Sequence, residues 1–224
     1  YLSHHNKKET NIKSPFKNNF KPDNQGLQIE VLIENKDACQ RYAGVSIEGV
    51  TIAESPDWLQ QRLKSIGLRP INNIVDITNF ILHETGQPLH AFDADAIAGK
   101  KVIVKNLPEG TPFVTLDEKE RKLFAEDLMI CNAEAPMCIA GVYGGMHSGV
   151  TAATKNIFLE SAWFNPTSIR KTSLKHGLRT DAATREDRRV LRFHRPYLHL
   201  RVLRPQYFTD PADRAARAHA RAKS

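Results

Sequence analysis

Cysteine is scarce in this sequence, and no motif organises it. The three cysteines, Cys39, Cys131 and Cys138, are an odd number, and none stands in a CxxC pair. This pattern argues against a disulfide framework and against a zinc site, and it is typical of reduced thiols in a cytoplasmic protein. We therefore predict a cytoplasmic protein without a metal site.

Long apolar runs are also absent. No stretch approaches eighteen uninterrupted apolar residues, so we predict no membrane span. The first residues, YLSHHNKKETNIK, are polar, unlike a secretory signal, and they lack an initiator methionine. We expect the chain to be a segment of a longer protein. Its 224 residues, 41% of them hydrophobic, are enough to bury a core.

The positive charge is concentrated at one end. Residues 186–224 hold nine Arg and one Lys against four acidic residues, so six of the seven net positive charges lie there and the remainder is nearly neutral. This tail uses Arg, His, Ala and Pro, whereas the preceding chain favours Lys, Asn and Ile. It is either a basic arm that binds nucleic acid or the product of a reading-frame slip.

Familiar catalytic motifs are missing as well. The sequence contains no GxGxxG, GK[ST], GxSxG or HExxH, which argues against a dinucleotide fold, a phosphate loop, a serine-hydrolase elbow and a zinc protease. What it does contain is the glycine-dense stretch GVYGGMHSGV, residues 141–150. Such a stretch is either a tight turn between buried strands or a pocket wall that a ligand can approach closely.

The spacing of apolar residues and the positions of capping residues, prolines and glycines predict an α+β fold with a layered, mixed β-sheet and flanking helices. Ser55 and Asn165 are the expected N-caps of two helices, each followed by proline. The predicted helices are 55–67, 71–86 and 165–177; the predicted strands are 41–52, 101–106, 112–116, 127–131, 136–145 and 155–164. Residues 117–120 are expected to be a turn, and 87–99 a loop that carries His90.

A few polar residues stand out against this background. Glu160 interrupts the apolar run IFLESAWF, so its carboxylate must face solvent, a partner or a ligand. His90 in its loop is either a histidine bound to backbone groups or a functional one. Asp76, Asn79 and Glu84 can be the polar face of a helix.

Four stretches together carry a resemblance to a known family: IVDITNFILHETGQPLHAFD (74–93), AGVYGGMHSGV (140–150), NIFLESAWFNP (156–166) and KHGLRTDAATR (175–185). Their order and spacing resemble the central module of the bacterial phenylalanyl-tRNA synthetase beta chain. The resemblance covers residues 41–185, with 1–40 as a linker or N-terminal extension. The family continues differently after Arg185, which favours the frame slip for the atypical basic tail, 186–224.

The resemblance implies an editing domain that hydrolyses tyrosine wrongly attached to tRNA(Phe). It also implies a synthetase alpha chain as partner in an alpha2-beta2 heterotetramer, and ATP and Mg2+ for the whole synthetase, with no cofactor for this segment. A non-catalytic tRNA-binding or subunit-docking module is the alternative. No membrane partner is expected.

The resemblance assigns roles residue by residue. Glu160 corresponds to the position that accepts a hydrogen bond from the tyrosine hydroxyl. His90, Asn79 and Thr78 correspond to positions proposed to hold the attacking water and the terminal adenosine. The pocket wall is assigned to Ala140, Gly141, Gly144, Thr180 and Ala182.

Overall fold

The computed structural model of the chain describes residues 21–188, with side chains through Thr184. This part contains ten strands and four α-helices. The helices are α1 (Asp57–Ser65), α2 (Asn73–Thr85), α3 (Pro166–His176) and α4 (Asp181–Arg188). The strands are β1 (Glu30–Ile33), β2 (Cys39–Ile47), β3 (His90–Asp93), β4 (Lys101–Asn106), β5 (Pro112–Val114), β6 (Glu120–Lys122), β7 (Leu128–Cys131), β8 (Pro136–Ile139), β9 (Tyr143–Gly144) and β10 (Ile157–Phe164).

The strands form three sheets. One has five strands in the order β1-β4-β7-β8-β9, one has three in the order β2-β10-β3, and β5 pairs with β6 as a hairpin. The β1–β4 pair is parallel and all other pairs are antiparallel. The predicted α+β fold with a mixed sheet is confirmed.

The three-stranded sheet is covered on both faces, because β10 is buried along nearly its whole length. Ile157 and Leu159 pack with Ile77 of α2 in one apolar cluster. Phe158 and Ala162 belong to a second cluster, which contains most of the five-stranded sheet. Alternate side chains of a strand point to opposite faces, so Glu160 faces the five-stranded sheet and not the helices.

The start of α3 and the ends of α2 and α3 lie where the sequence predicts helix boundaries. The Asn165 side chain accepts hydrogen bonds from the backbone N–H of Thr167 and Ser168, at 3.0 and 3.4 Å, and α3 ends at Gly177 in the left-handed conformation. Gly86, with φ at 76°, ends α2 in the same way. These interactions are local in sequence, which explains why they could be predicted.

The predicted start of α1 is wrong in its cap. Pro56 occupies the N-cap position without a side-chain hydrogen bond. The Ser55 hydroxyl instead donates to the Asp76 carboxylate at 2.5 Å, in the buried contact between α1 and α2. Leu59 and Leu63 of α1 are buried, whereas Trp58 is 41% exposed.

Several elements differ from the prediction because they depend on distant pairing. His90 begins strand β3 instead of lying in a loop, since β3 pairs with β10. Strand β1 lies within the predicted 1–40 linker and pairs with β4. Strand β6 and helix α4 were not predicted. Of the predicted basic tail, 186–224, only the backbone of residues 186–188 is described, as the end of α4, and the remainder lies outside the described residues.

Within residues 21–188, none of the helices combines the length and the apolar character needed to cross a membrane.

Gly44 provides a test of this packing. A Cβ built on Gly44 would lie 2.0 Å from Cζ and 2.4 Å from Cε2 of the Phe158 ring, which crosses β2 at this point. We expect Gly44→Ala to lower the free energy of unfolding by about 1–3 kcal/mol, because the buried ring must move. Denaturant unfolding measures the change.

The matched control is the same substitution in a Phe158→Leu background. There the clash is relieved, so Gly44→Ala should cost clearly less than in the wild type. Equal costs in the two backgrounds would show that Phe158 does not restrict residue 44.

Candidate functional site

A buried carboxylate lies at the centre of the candidate site. Glu160 occupies the middle of β10 and is 6% exposed. One of its oxygens, Oε2, accepts a hydrogen bond from the Tyr42 hydroxyl at 3.0 Å. A charge removed from water requires such donors, because an uncompensated carboxylate in an apolar layer is strongly unfavourable.

The charge of Glu160 influences the groups around it. Burial and the neighbouring Glu160 carboxylate raise the pKa of Tyr42 well above its usual value. Burial, again with the Glu160 charge, raises the pKa of the Cys138 thiol as well. Tyr42 and Cys138 therefore both remain protonated at neutral pH, and Tyr42 is a permanent hydrogen-bond donor to Glu160.

His90 is the register partner of Glu160 across the β3–β10 pair. Side chains of directly opposed residues lie on the same face of a sheet, with Cβ atoms about 4.5–5.5 Å apart. The Nε2 atom of His90 is buried and has no hydrogen-bond partner among the described residues. Burial lowers the pKa of His90 to about 4, so its ring is neutral at pH 7. The structure thus joins two predicted site residues that are seventy positions apart in sequence.

The glycine stretch lies against this pair. A Cβ on Gly144 would be 3.2 Å from Cε1 of His90 and 2.8 Å from Cδ1 of Leu116, which leans over it. The backbone is bonded here too, since the Leu116 N–H donates to the Gly144 carbonyl at 3.0 Å. Leu116 is 48% exposed, so it forms an apolar rim beside His90. An added methyl group at Gly144 would therefore displace the half-exposed Leu116 side chain and press on the His90 ring.

Gly141 has a different reason to be glycine. It lies in the turn between β8 and β9 with φ at 65°, and a Cβ there would meet Phe164 and Ile169 of the core. The neighbouring Ala140 is fully buried. The tight-turn interpretation applies at Gly141, whereas at Gly144 the close neighbours are the side chains of Leu116 and His90, so the pocket-wall interpretation stays a prediction. Contact of either residue with a substrate stays a prediction.

Thr180 links α4 to the same turn. Its hydroxyl donates to the Val142 carbonyl at 2.9 Å and accepts from the Ala183 N–H at 3.1 Å. Ala182 is half-buried on the first turn of α4. Thr180 and Ala182 therefore lie on an element anchored beside the glycine stretch.

Thr78 and Asn79 lie on the other side of the three-stranded sheet from Glu160 and His90. Both belong to α2, which packs against the other face of the three-stranded sheet. The Thr78 hydroxyl donates to the Val75 carbonyl within its own helix at 2.8 Å. Among the described residues, neither side chain hydrogen-bonds to His90 or Glu160. Their assigned roles stay predictions.

One depression of the described surface lies away from these residues. It measures about 620 Å³ and is lined by Glu34, Asn35, Lys36, Asp37, Lys105 and Asn106. None of these is a predicted site residue, and the depression is wide and polar. We place the candidate site at Glu160 instead, because a buried charge and an unsatisfied histidine nitrogen meet there.

Within the part of the chain whose side chains are described, no group of three or more His, Cys, Asp and Glu side chains is arranged to hold a metal ion.

Sequence reasoning missed Tyr42, Gly44 and Leu116. Gly44 lies directly opposite Glu160 in the β2–β10 register, and Tyr42 pairs with Ala162, which places it diagonally across from the carboxylate. The alternation in RYAGVSI puts Tyr42 and Gly44 on one face of a strand, but only the pairing with β10 shows what that face meets.

His90 predicts a pH dependence of stability. Between about pH 6.5 and 4 the unfolded chain binds a proton at residue 90 that the folded chain does not, because burial lowers the pKa of His90 to about 4. The free energy of unfolding should therefore fall as the pH falls through this window, by about 3 kcal/mol at most. Denaturant unfolding at several pH values measures it.

His90→Gln, which cannot titrate, should remove this part of the acid dependence. His147→Gln, a substitution at an exposed histidine of the glycine stretch, is the control and should keep this acid dependence. If His90→Gln loses stability with acid as steeply as the wild type, another group governs the window.

Comparison with known proteins places this geometry in a family. The B3/4 domain matches residues 38–196. Two phenylalanine–tRNA ligase beta subunits are similar to the chain. That of Bacteroides thetaiotaomicron is 60% identical over 185 residues, which is 83% of this chain and 23% of that protein. That of Porphyromonas gingivalis is 60% identical over 162 residues, 72% of this chain and 20% of that protein.

A crystal structure of an N-terminal fragment of the phenylalanyl-tRNA synthetase beta subunit from Pyrococcus horikoshii is a more distant likeness. It has a TM-score of 0.46 and 15% identity, and the match covers 74% of this chain and 52% of that one. The chain spans less than a quarter of the length of the two ligase subunits named above. The B3/4 match covers well over half of the chain, so this protein belongs to the B3/4 domain family.

Proposed function

We propose that this chain is the editing module of a phenylalanine–tRNA ligase beta subunit and that it hydrolyses tyrosine misattached to tRNA(Phe). The observation that carries the proposal is the bond between Glu160 and a phenol: a carboxylate that is 6% exposed accepts a tyrosine hydroxyl at 3.0 Å. A site with this chemistry can recognise the one group that distinguishes tyrosine from phenylalanine.

The need for such a site follows from the limits of apolar recognition. A pocket shaped for phenylalanine rejects a tyrosine by only about a hundredfold. A site that hydrogen-bonds the hydroxyl can reject phenylalanine by roughly 10⁴–10⁵, because phenylalanine would leave a buried polar group unsatisfied. A second, hydroxyl-selecting site is therefore the effective correction.

In this proposal Glu160 selects and His90 assists hydrolysis. An aminoacyl ester is already activated, so orienting a water molecule next to its carbonyl supplies much of the rate. A burial-lowered pKa of about 4 makes His90 a weak base, but its neutral, buried Nε2 can still hydrogen-bond a water. We therefore assign His90 to holding the water, with Thr78 and Asn79 toward the terminal adenosine.

The glycine stretch and α4 would enclose the amino acid. The absence of a side chain at Gly144 lets His90 and Leu116 lie close to the backbone there, and Thr180 ties α4 to the turn that carries Gly141. Ala140 and Ala182 would keep this wall small. In the complete ligase the partners would be tRNA(Phe) and an alpha chain, and ATP and Mg2+ would serve aminoacylation, away from the residues described here.

Glu160→Gln tests the selector. The amide keeps the shape but replaces a charged acceptor with a neutral one, so we expect the preference for Tyr-tRNA(Phe) over Phe-tRNA(Phe) to fall about tenfold. Release of the amino acid from both tRNAs by the complete ligase that contains this chain measures it.

Glu48→Gln is the matched control, since Glu48 is an exposed glutamate just beyond the end of β2. A folded Glu160→Gln enzyme with an unchanged preference would overturn the selector assignment. If the wild-type ligase does not deacylate Tyr-tRNA(Phe) at all, the non-catalytic tRNA-binding or docking module takes the place of this proposal.

Gly144→Ala tests the close approach at the glycine stretch. The new methyl group would press on Leu116 and on the His90 ring, so hydrolysis of Tyr-tRNA(Phe) should slow on the order of 10- to 100-fold. The control is Gly149→Ala, whose Cβ would only make ordinary contact with Leu116 at 3.5 Å. Equal rates for the two variants, both folded, would remove Gly144 from the site.

A further inference from the structure

The Tyr42–Glu160 hydrogen bond joins two neighbouring strands within the sheet. Tyr42 lies on β2 opposite Ala162, so it approaches Glu160 along the diagonal of the antiparallel pair. Aromatic side chains reach across this diagonal on one face of a sheet. The contact is therefore fixed by the β2–β10 register and does not depend on a mobile loop.

The surroundings restrict the carboxylate further. Gly44 is directly opposite Glu160, and the Phe158 ring occupies the space that a side chain at residue 44 would fill. Tyr42 itself packs against the same apolar core. Glu160 thus lies opposite a residue whose side-chain space is filled by the Phe158 ring, and the Tyr42 phenol on the neighbouring strand bonds to its carboxylate.

Ordering of the Glu160 side chain before a ligand binds matters for affinity, because a glutamate side chain is flexible. An unrestrained glutamate loses more side-chain freedom when it is ordered than most other residue types do. A carboxylate has about four lone-pair positions, and the Tyr42 bond to Oε2 uses one of them. A carboxylate that is already ordered can accept a second phenol without that entropic loss.

We propose that Tyr42 is a positioning residue for hydroxyl selection: its phenol holds Glu160 in the orientation that recognises the phenol of a bound tyrosine. This inference rests on the proposed editing function. It assigns Tyr42 to specificity and not to the chemical step, and it requires both phenols to be on Glu160 at once.

The test is a double-substitution cycle in the 224-residue chain, with free L-tyrosine and L-phenylalanine as probes and calorimetry as the measurement. Tyr42→Phe should weaken L-tyrosine binding about tenfold and change L-phenylalanine binding less than twofold. Because Tyr42 acts through Glu160, the same change in a Glu160→Gln background should have little further effect. Thr172→Val, which removes a different buried hydroxyl–carboxylate bond, from Thr172 of α3 to Asp127, is the matched control and should leave both affinities unchanged.

Two outcomes would overturn the inference while the editing function stands. One is a folded Tyr42→Phe chain that still prefers L-tyrosine as strongly as the wild type. The other is tighter L-tyrosine binding by Tyr42→Phe, since that would make Tyr42 a competitor for Glu160. Failure of the wild type to prefer L-tyrosine would overturn the editing proposal together with this inference.

Crystals of the wild-type chain soaked with L-tyrosine give a second measurement that needs no variant. The Tyr42 hydroxyl should stay bonded to Glu160 while the ligand hydroxyl binds the same carboxylate. A ligand that displaces Tyr42 from Glu160 would contradict the inference even if Tyr42→Phe failed to fold.

Discussion

The constraint on which the candidate site depends is the burial of one carboxylate in an apolar layer. Glu160 lies on the face of β10 that meets the five-stranded sheet, where removal from water is costly unless donors are supplied. The Tyr42 hydroxyl supplies one, and β2 must keep its register with β10 for that bond to form. A one-residue slip of β2 would turn Tyr42 to the opposite face and leave the carboxylate without this donor. Fold and site are thus specified by the same pairing.

The same pairing explains which features could be predicted from sequence. The caps Asn165 and Gly177 involve neighbours within a few residues, so the sequence alone predicted them correctly. Ser55 also looked like a cap, but its hydroxyl bonds to Asp76, twenty-one residues away. His90 looked like a loop residue because strand β3 exists only through its pairing with β10. Secondary-structure propensity reflects local preferences, whereas a strand such as β3 forms only where a distant strand pairs with it.

The candidate site divides along the same line. The apolar context marked Glu160 as unusual, and the family resemblance assigned His90 to the same site, whereas Tyr42 gave no signal until the register was known. The density of glycines in residues 141–150 marked the stretch as unusual, but the sequence did not show why each glycine is there. Its glycines serve different ends: Gly141 adopts a positive φ, whereas a Cβ on Gly144 would collide with Leu116. A count of glycines cannot separate conformational need from spatial need.

The electrostatics of the pair limit the chemistry that the site can perform. Glu160 and His90 are register partners, yet the His90 pKa is lowered by burial, so the ring stays neutral beside the carboxylate at pH 7. A neutral imidazole can accept a hydrogen bond from water without holding a full positive charge in the apolar layer. Strong proton abstraction would require a pKa nearer to 7, whereas hydrolysis of an activated ester depends chiefly on orientation. The arrangement therefore suits a site whose difficulty lies in choosing the substrate and not in breaking the bond.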